Sequence, residues 1–139
     1  MIIFDTNVLS EMMRPVPHAA VVTWIDNLGP DEAWLSSITI FEVQNGLFLM
    51  PAGRKRSTLQ ADFDQHVAIT FRNKIATLDV GAAHAAAKIN TDRKKRGANF
   101  APIDALIAGI AVARGAAIAT RNVKHFADLS IAVINSWTA

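Results

Sequence analysis

Three acids, Asp5, Glu42 and Asp104, stand where predicted strands give way to predicted helices. Asp5 closes the run Ile2-Ile3-Phe4, Glu42 follows Ser37-Ile38-Thr39-Ile40-Phe41, and Asp104 follows Pro102-Ile103. In a parallel α/β sheet such handovers gather outside the carboxyl ends of the strands. Carboxylates brought together there repel one another unless protons or a cation compensate. A hard divalent cation held by carboxylate oxygens and water is the usual compensation, and phosphate chemistry is a common use of it. Thr6 and Asn7, beside Asp5, and Thr120 and Asn122, after a later strand, place polar side chains at the same expected edge.

Each acid also has an explanation that needs no chemistry. Asp5 can cap the following helix. Thr39-Ile40-Phe41-Glu42 matches a capping box, with Glu42 reaching back to the Thr39 amide. Asp104 near the third position of a helix starting at Pro102 suits the helix dipole. Thr120 and Asn122 fit a turn before the Val123 to Phe126 segment. The joint pattern argues further than any one residue, because apolar Phe41, Val43, Ile103, Ala105, Leu106 and Ile107 surround the acids, and an acid among apolar groups needs a partner.

The elements that position these residues follow from hydrophobic spacing. Strands are expected at Ile2 to Phe4, Ala33 to Ser37, Ile75 to Leu78, Ala116 to Ala119 and Ile131 to Ile134. Helices are expected from Asn7 to Met13, His18 to Leu28, Thr39 to about Met50, Ser57 to Lys74, Val80 to Arg96 and Pro102 to Arg114. Arg14-Pro15-Val16-Pro17 breaks the first helix, since each proline disfavours αR in its predecessor. Pro102 and Gly115 bracket the last helix in the usual arrangement. Strands alternating with helices imply a central parallel sheet covered on both faces. With 139 residues, 1–139 reads as a single domain.

Composition narrows the class. Hydrophobic residues make up 51% and charged residues 19%, which excludes disorder and suggests a face covered in a homodimer or by a protein partner. Without cysteine there is neither a disulfide framework nor a thiolate zinc site. The apolar stretch from Ala105 to Ala113 is far short of the roughly 20 residues of a membrane span, so a cytoplasmic protein without a membrane partner is expected. The net charge of +2 is weak evidence for nucleic acid. Arg54-Lys55-Arg56 and Arg93-Lys94-Lys95-Arg96 are basic runs able to grip phosphate, or simply solvated helix ends. His18, His66, His84 and His125 occupy unrelated contexts, and only His125, beside Phe126, lies near the expected site.

Phe4-Asp5-Thr6-Asn7, Ser37-Ile38-Thr39 with Glu42 and Gly46, Pro102-Ile103-Asp104 with Ile107-Ala108, and Thr120-Arg121-Asn122 with Phe126 together resemble the PIN-domain ribonucleases, and within them the VapC toxins of bacterial toxin–antitoxin pairs. The resemblance implies a PIN-like three-layer α/β/α domain with a central parallel sheet of four or five strands. It implies an endoribonuclease dependent on Mg²⁺ or Mn²⁺, with Asp5 and Asp104 as metal ligands and Glu42 as the third acid, binding directly or through water. It also implies an RNA substrate, a small cognate antitoxin that occludes the site, and homodimerisation through helices. Many members carry a fourth acid where this chain has Asn122, which keeps an oxygen acceptor but no charge; that departure weakens a two-metal mechanism and leaves a one-metal mechanism intact. Arg121 and Lys94 would steer the RNA backbone.

Three other readings compete. A phosphatase-like Mg²⁺ hydrolase would also begin with a strand and Asp5, but would carry a second Asp where Asn7 stands. A receiver-like domain would place its acid after a middle strand, where only Asp79 is found. A non-catalytic α/β interaction module would use the acids as a socket for a basic peptide.

Overall fold

The computed structural model describes residues 1–139. Five strands, β1 (Ile2–Phe4), β2 (Ala33–Ser36), β3 (Ile75–Ala76), β4 (Ala117–Ala119) and β5 (Val133–Ile134), form one parallel sheet in the order β3-β2-β1-β4-β5. The register pairs Ile3 with Trp34 on one side and with Ile118 on the other. Six α-helices accompany it: α1 (Thr6–Met12), α2 (Ala19–Asp26), α3 (Ser37–Leu49), α4 (Arg54–Gln65), α5 (Val80–Lys95) and α6 (Pro102–Arg114).

Strands this short hold a sheet because both faces are buried. Ile3 and Phe4 are fully buried and, as neighbours on a pleated strand, enter opposite layers. Ile3 and Ile118 join Ile107, Ile110 and Phe126 in one core, while Phe4 joins Val8, Leu9, Leu47, Phe63 and Phe71 in the other. The chain extends the sheet to β3, then crosses through α5 and α6 to the far side of β1. The order of the strands therefore reverses between β1 and β4, and the crevice outside their carboxyl ends is where α/β sheets bind ligands.

Most elements lie where the sequence places them; β3 and β5 keep only two of the four residues expected for each, and two helices differ for local reasons. The β2–α3 junction is capped by Ser36, whose Oγ accepts the Thr39 amide at 3.1 Å. That draws the helix start back to Ser37, so Thr39 is an interior residue and the capping box with Glu42 does not form. The helix expected over Ser57 to Lys74 instead begins at Arg54 and gives way to a π-helical turn, His66–Thr70. Asn73, in the left-handed region at φ 60°, then turns the chain into β3.

Two contacts fix α5 and α6, which carry the chain to the far side of the site. Gly109 lets the helices approach so closely that a Cβ there would lie 2.6 Å from the Ala82 carbonyl oxygen and from the Ala86 backbone nitrogen and Cβ. At the far end of α5, Arg93, 2% exposed, makes a two-armed ion pair with Asp128 at 3.0 Å on each arm, and its Nη2 also donates to the His125 carbonyl at 2.6 Å. The hydrogen bonds from Arg93 hold the Asp128 carboxyl well below the usual carboxylate range, against its partial burial. Phe100 lies against the same guanidinium, 4.7 Å from its central carbon.

Gly109→Ala forces backbone apart and is expected to lower unfolding free energy by about 1–3 kcal/mol in urea titration. Asp128→Ala strands the buried Arg93 charge and is expected to cost about 3–5 kcal/mol by the same measurement. A near-neutral result for either would remove that contact from the list of fixtures.

Candidate active site

The carboxyl end of β1 delivers Asp5, which is only 7% exposed. Its two oxygens do different work. Oδ1 accepts the Thr6 amide at 2.8 Å and so caps α1, as the simple capping explanation requires. Oδ2 accepts the Thr120 hydroxyl at 2.8 Å and the Asn7 side-chain amide at 3.2 Å. Thr120, fully buried just beyond β4, in turn accepts from the Asn7 side-chain amide at 3.3 Å and the Asn122 backbone amide at 3.0 Å. The Asn7 oxygen accepts the Arg121 amide at 3.1 Å. Asn7 is thus committed as a donor to Asp5 and Thr120, and does not stand in for the second acid of a phosphatase.

The α1 and α3 helices bring in the second acid. Thr6 Oγ1 donates to Glu42 Oε1 at 2.6 Å and lies 3.2 Å from the hydroxyl of buried Thr39. With the Thr6 proton given to Glu42, Thr39 is the donor of that second contact. Phe41 next to Glu42 is 60% exposed, so the apolar surroundings expected for Glu42 are not supplied by that neighbour. The third acid, Asp104, lies in the first turn of α6, where no side chain caps the helix. Its Oδ2 stands 3.4 Å from His125 Nδ1, and His125 is in turn stacked beside Phe100.

Asp5, Glu42 and Asp104 line one cleft of about 520 Å³, together with Thr6, Asn7, Arg121 and Asn122. Burial pushes the Asp5 carboxyl above its ordinary value, helped by the nearby charge of Asp104; the hydrogen bonds from Thr120 and Thr6 oppose the rise without cancelling it. Burial likewise raises Glu42, and the charges of Asp5 and Asp104 add to the effect. These are uncompensated like charges around a shared space. Every side-chain donor that these residues offer to a cation is a hard oxygen, which suits Mg²⁺ or Mn²⁺. No group of three carboxylate or imidazole side chains is drawn together as a finished cage.

Lys94 sits exposed in the last turn of α5 and does not line the cleft. Its run of bases divides instead between solvent and the buried Arg93. Four residues that the sequence did not single out do line the cleft: Ser10, Glu11, Arg14 and Trp137. Glu11 carried a readable signal, an acid among Val8, Leu9, Met12 and Met13. Trp137 carried none, since only the folded C-terminus brings it there. A wider depression of about 670 Å³ between α3 and α4 is lined by Gln44, Arg56 and Gln60, has Asp64 as its one acid, and gathers no such constellation. No helix is long and apolar enough to cross a membrane.

The PIN domain family model matches residues 2–131. Over 137 residues the chain is 35% identical to the Toxin FitB of Neisseria gonorrhoeae, covering 99% of each chain. It is 34% identical over 137 residues to the VapC ribonuclease Y4jK of Sinorhizobium fredii, covering 99% of this chain and 98% of that one. It is also similar to the crystal structure of FitAcB from Neisseria gonorrhoeae, with a TM-score of 0.89 at 34% identity over the whole of both chains. With the strand order, the acids at the β1–β4 crevice and these full-length likenesses together, the chain belongs to the PIN domain family.

Proposed function

We propose that the protein is a Mg²⁺- or Mn²⁺-dependent endoribonuclease acting as the toxin of a toxin–antitoxin pair in the cytoplasm. The observation that carries this reading is the convergence of Asp5, Glu42 and Asp104, from three separate elements, on one cleft where burial and mutual repulsion raise the pKa values of Asp5 and Glu42. The names of the FitB and Y4jK relatives, a toxin and a ribonuclease, support it.

Asp5 and Asp104 would hold the cation, with Glu42 reaching it directly or through water. When bound, a divalent cation supplies charge compensation for the scissile phosphate and makes water a better nucleophile. Thr120 and Asn7 fix the Asp5 carboxylate, and Thr6 fixes Glu42. Glu42, whose carboxyl burial makes more basic than usual, or Asp104 would take the proton of the attacking water. With Asn122 in place of a further acid, only Asp5, Glu42 and Asp104 are assigned to a cation, which favours a single one. Exposed Phe41, Phe48 and Leu49 on α3 and Val80 on α5 support a surface covered by a second copy or by an antitoxin.

Asp5→Asn and Asp104→Asn should each lower cleavage of single-stranded RNA in Mg²⁺ by about two orders of magnitude or more, with an unchanged circular dichroism spectrum. Undiminished cleavage by a folded variant defeats the assignment.

The raised carboxyls also set a stability signature. Below the ordinary values of 3.8 and 4.5 folded and unfolded chains are both protonated, and the contribution of these groups to stability is complete. As pH rises through the raised folded values, that contribution is lost. Without divalent ions, Glu42→Gln should therefore melt higher than wild type at pH 7, and the gap should close near pH 4. Added Mg²⁺ should raise the wild-type Tm, because a ligand bound only by the folded state stabilises it, and should raise the variant less. Equal melting of both chains at every pH and Mg²⁺ level would show that Glu42 carries no strained charge.

A further inference from the structure

The wall of the cleft beyond the acids carries two guanidinium groups, and neither is placed casually. Arg14, just past α1, directs Nη1 at both oxygens of Glu11, at 3.3 and 3.2 Å. Glu11 is 5% exposed and also accepts the His18 amide at 3.2 Å. Burial alone would raise the Glu11 carboxyl, yet the His18 amide and the charge and hydrogen bonds of Arg14 outweigh it and leave the pKa lowered. Glu11 is therefore a fixed anion. Arg121, on the loop after β4, is tied through its amide to Asn7 and lies with its guanidinium carbon 5.1 Å from the centroid of Trp137.

Trp137 lines the same cleft and carries the Arg121 guanidinium against its ring. The array would be needless for packing alone. Arg14 is 63% exposed, and an ion pair with so open a partner adds little stability. Only Nη1 of Arg14 is engaged by the protein, so Nε and Nη2 retain donors for a second anion. Both groups share the cleft with the three acids, where a phosphodiester would otherwise meet only negative charge.

We propose that Arg14 and Arg121, held by Glu11 and Trp137, form a clamp for the phosphate of the nucleotide adjacent to the scissile one. This rests on the nuclease reading above and adds to it the side of the cleft along which the RNA backbone runs. Guanidinium groups suit phosphate because their planar forks donate two parallel hydrogen bonds. Fixing them in advance, one by a buried carboxylate and one by an indole face, lowers the ordering cost of binding.

The test uses the full chain carrying Asp104→Asn, so that RNA survives, with a short fluorescein-labelled single-stranded RNA and anisotropy titrations over a range of salt. Arg14→Gln and Arg121→Gln should each weaken binding about tenfold, the loss of one charge-assisted hydrogen bond. Each should also flatten the plot of log affinity against log salt by about 0.7, the share of one single-strand phosphate contact. Arg114→Gln, in the last turn of α6 and outside the cleft, should change neither quantity. Equal binding by all three variants overturns the clamp while leaving the nuclease reading intact. Equal weakening by all three also overturns it, since net charge alone would then explain binding. A parent chain that does not bind RNA sinks the clamp and the nuclease reading together.

Discussion

A carboxylate that is nine-tenths buried must be surrounded by donors or matched by a cation, and Asp5 goes part of the way to meeting the first condition. The hydroxyl of Thr120 and the amide of Thr6 converge on it from two different parts of the chain. Because Thr120 lies beyond β4 and Asp5 beyond β1, that hydrogen bond joins the two strands where their order reverses. Asn7 and, through Asn7, the Arg121 amide are then drawn into the same network. Moving Asp5 out of line would therefore disturb the helix cap, the β4 loop and the cleft wall together. Satisfaction is only partial: hydrogen bonds moderate the energetic cost of the charge without removing it, and the raised pKa is the residue of that imbalance.

The remaining acids depend on longer-range fixtures. Asp104 rides on α6, whose position follows from the close approach that Gly109 permits against Ala82 and Ala86. The His125 turn beside Asp104 is held from behind by Arg93, through its carbonyl and through Asp128. Small residues and one buried arginine thus locate a reactive edge to which they contribute no chemistry.

Asp5 was readable because it directly follows an apolar strand whose direction into the sheet is forced. The handover expected for the other two does not hold, since Glu42 lies inside α3 and Asp104 opens α6, which follows α5 with no strand between. Both reach the cleft through their helices. The order of elements was equally plain, since Pro15, Pro17, Gly29 and Pro30 punctuate the early chain and Pro102 and Gly115 bracket α6. What sequence could not arbitrate was competition between equivalent signals. Thr39 and Ser36 are both good caps, and the choice fell to Ser36 because β2 ends there, which freed Glu42 from the helix start and left it to Thr6. The π-helical turn after α4 has no punctuating residue. Lys94 and Arg93 are neighbours in one basic run, yet a single helical step sends one to solvent and the other to Asp128. Trp137 reaches the cleft only by tertiary folding.

Both outer strands of the sheet, β3 and β5, are two residues long. Each therefore offers an intruding chain a very short row of unsatisfied backbone groups, too little to template an added ribbon. For a molecule rich in aliphatic side chains, this brevity is a built-in safeguard against stacking edge to edge. Association is thereby steered to helical surfaces, where side-chain shape selects the companion.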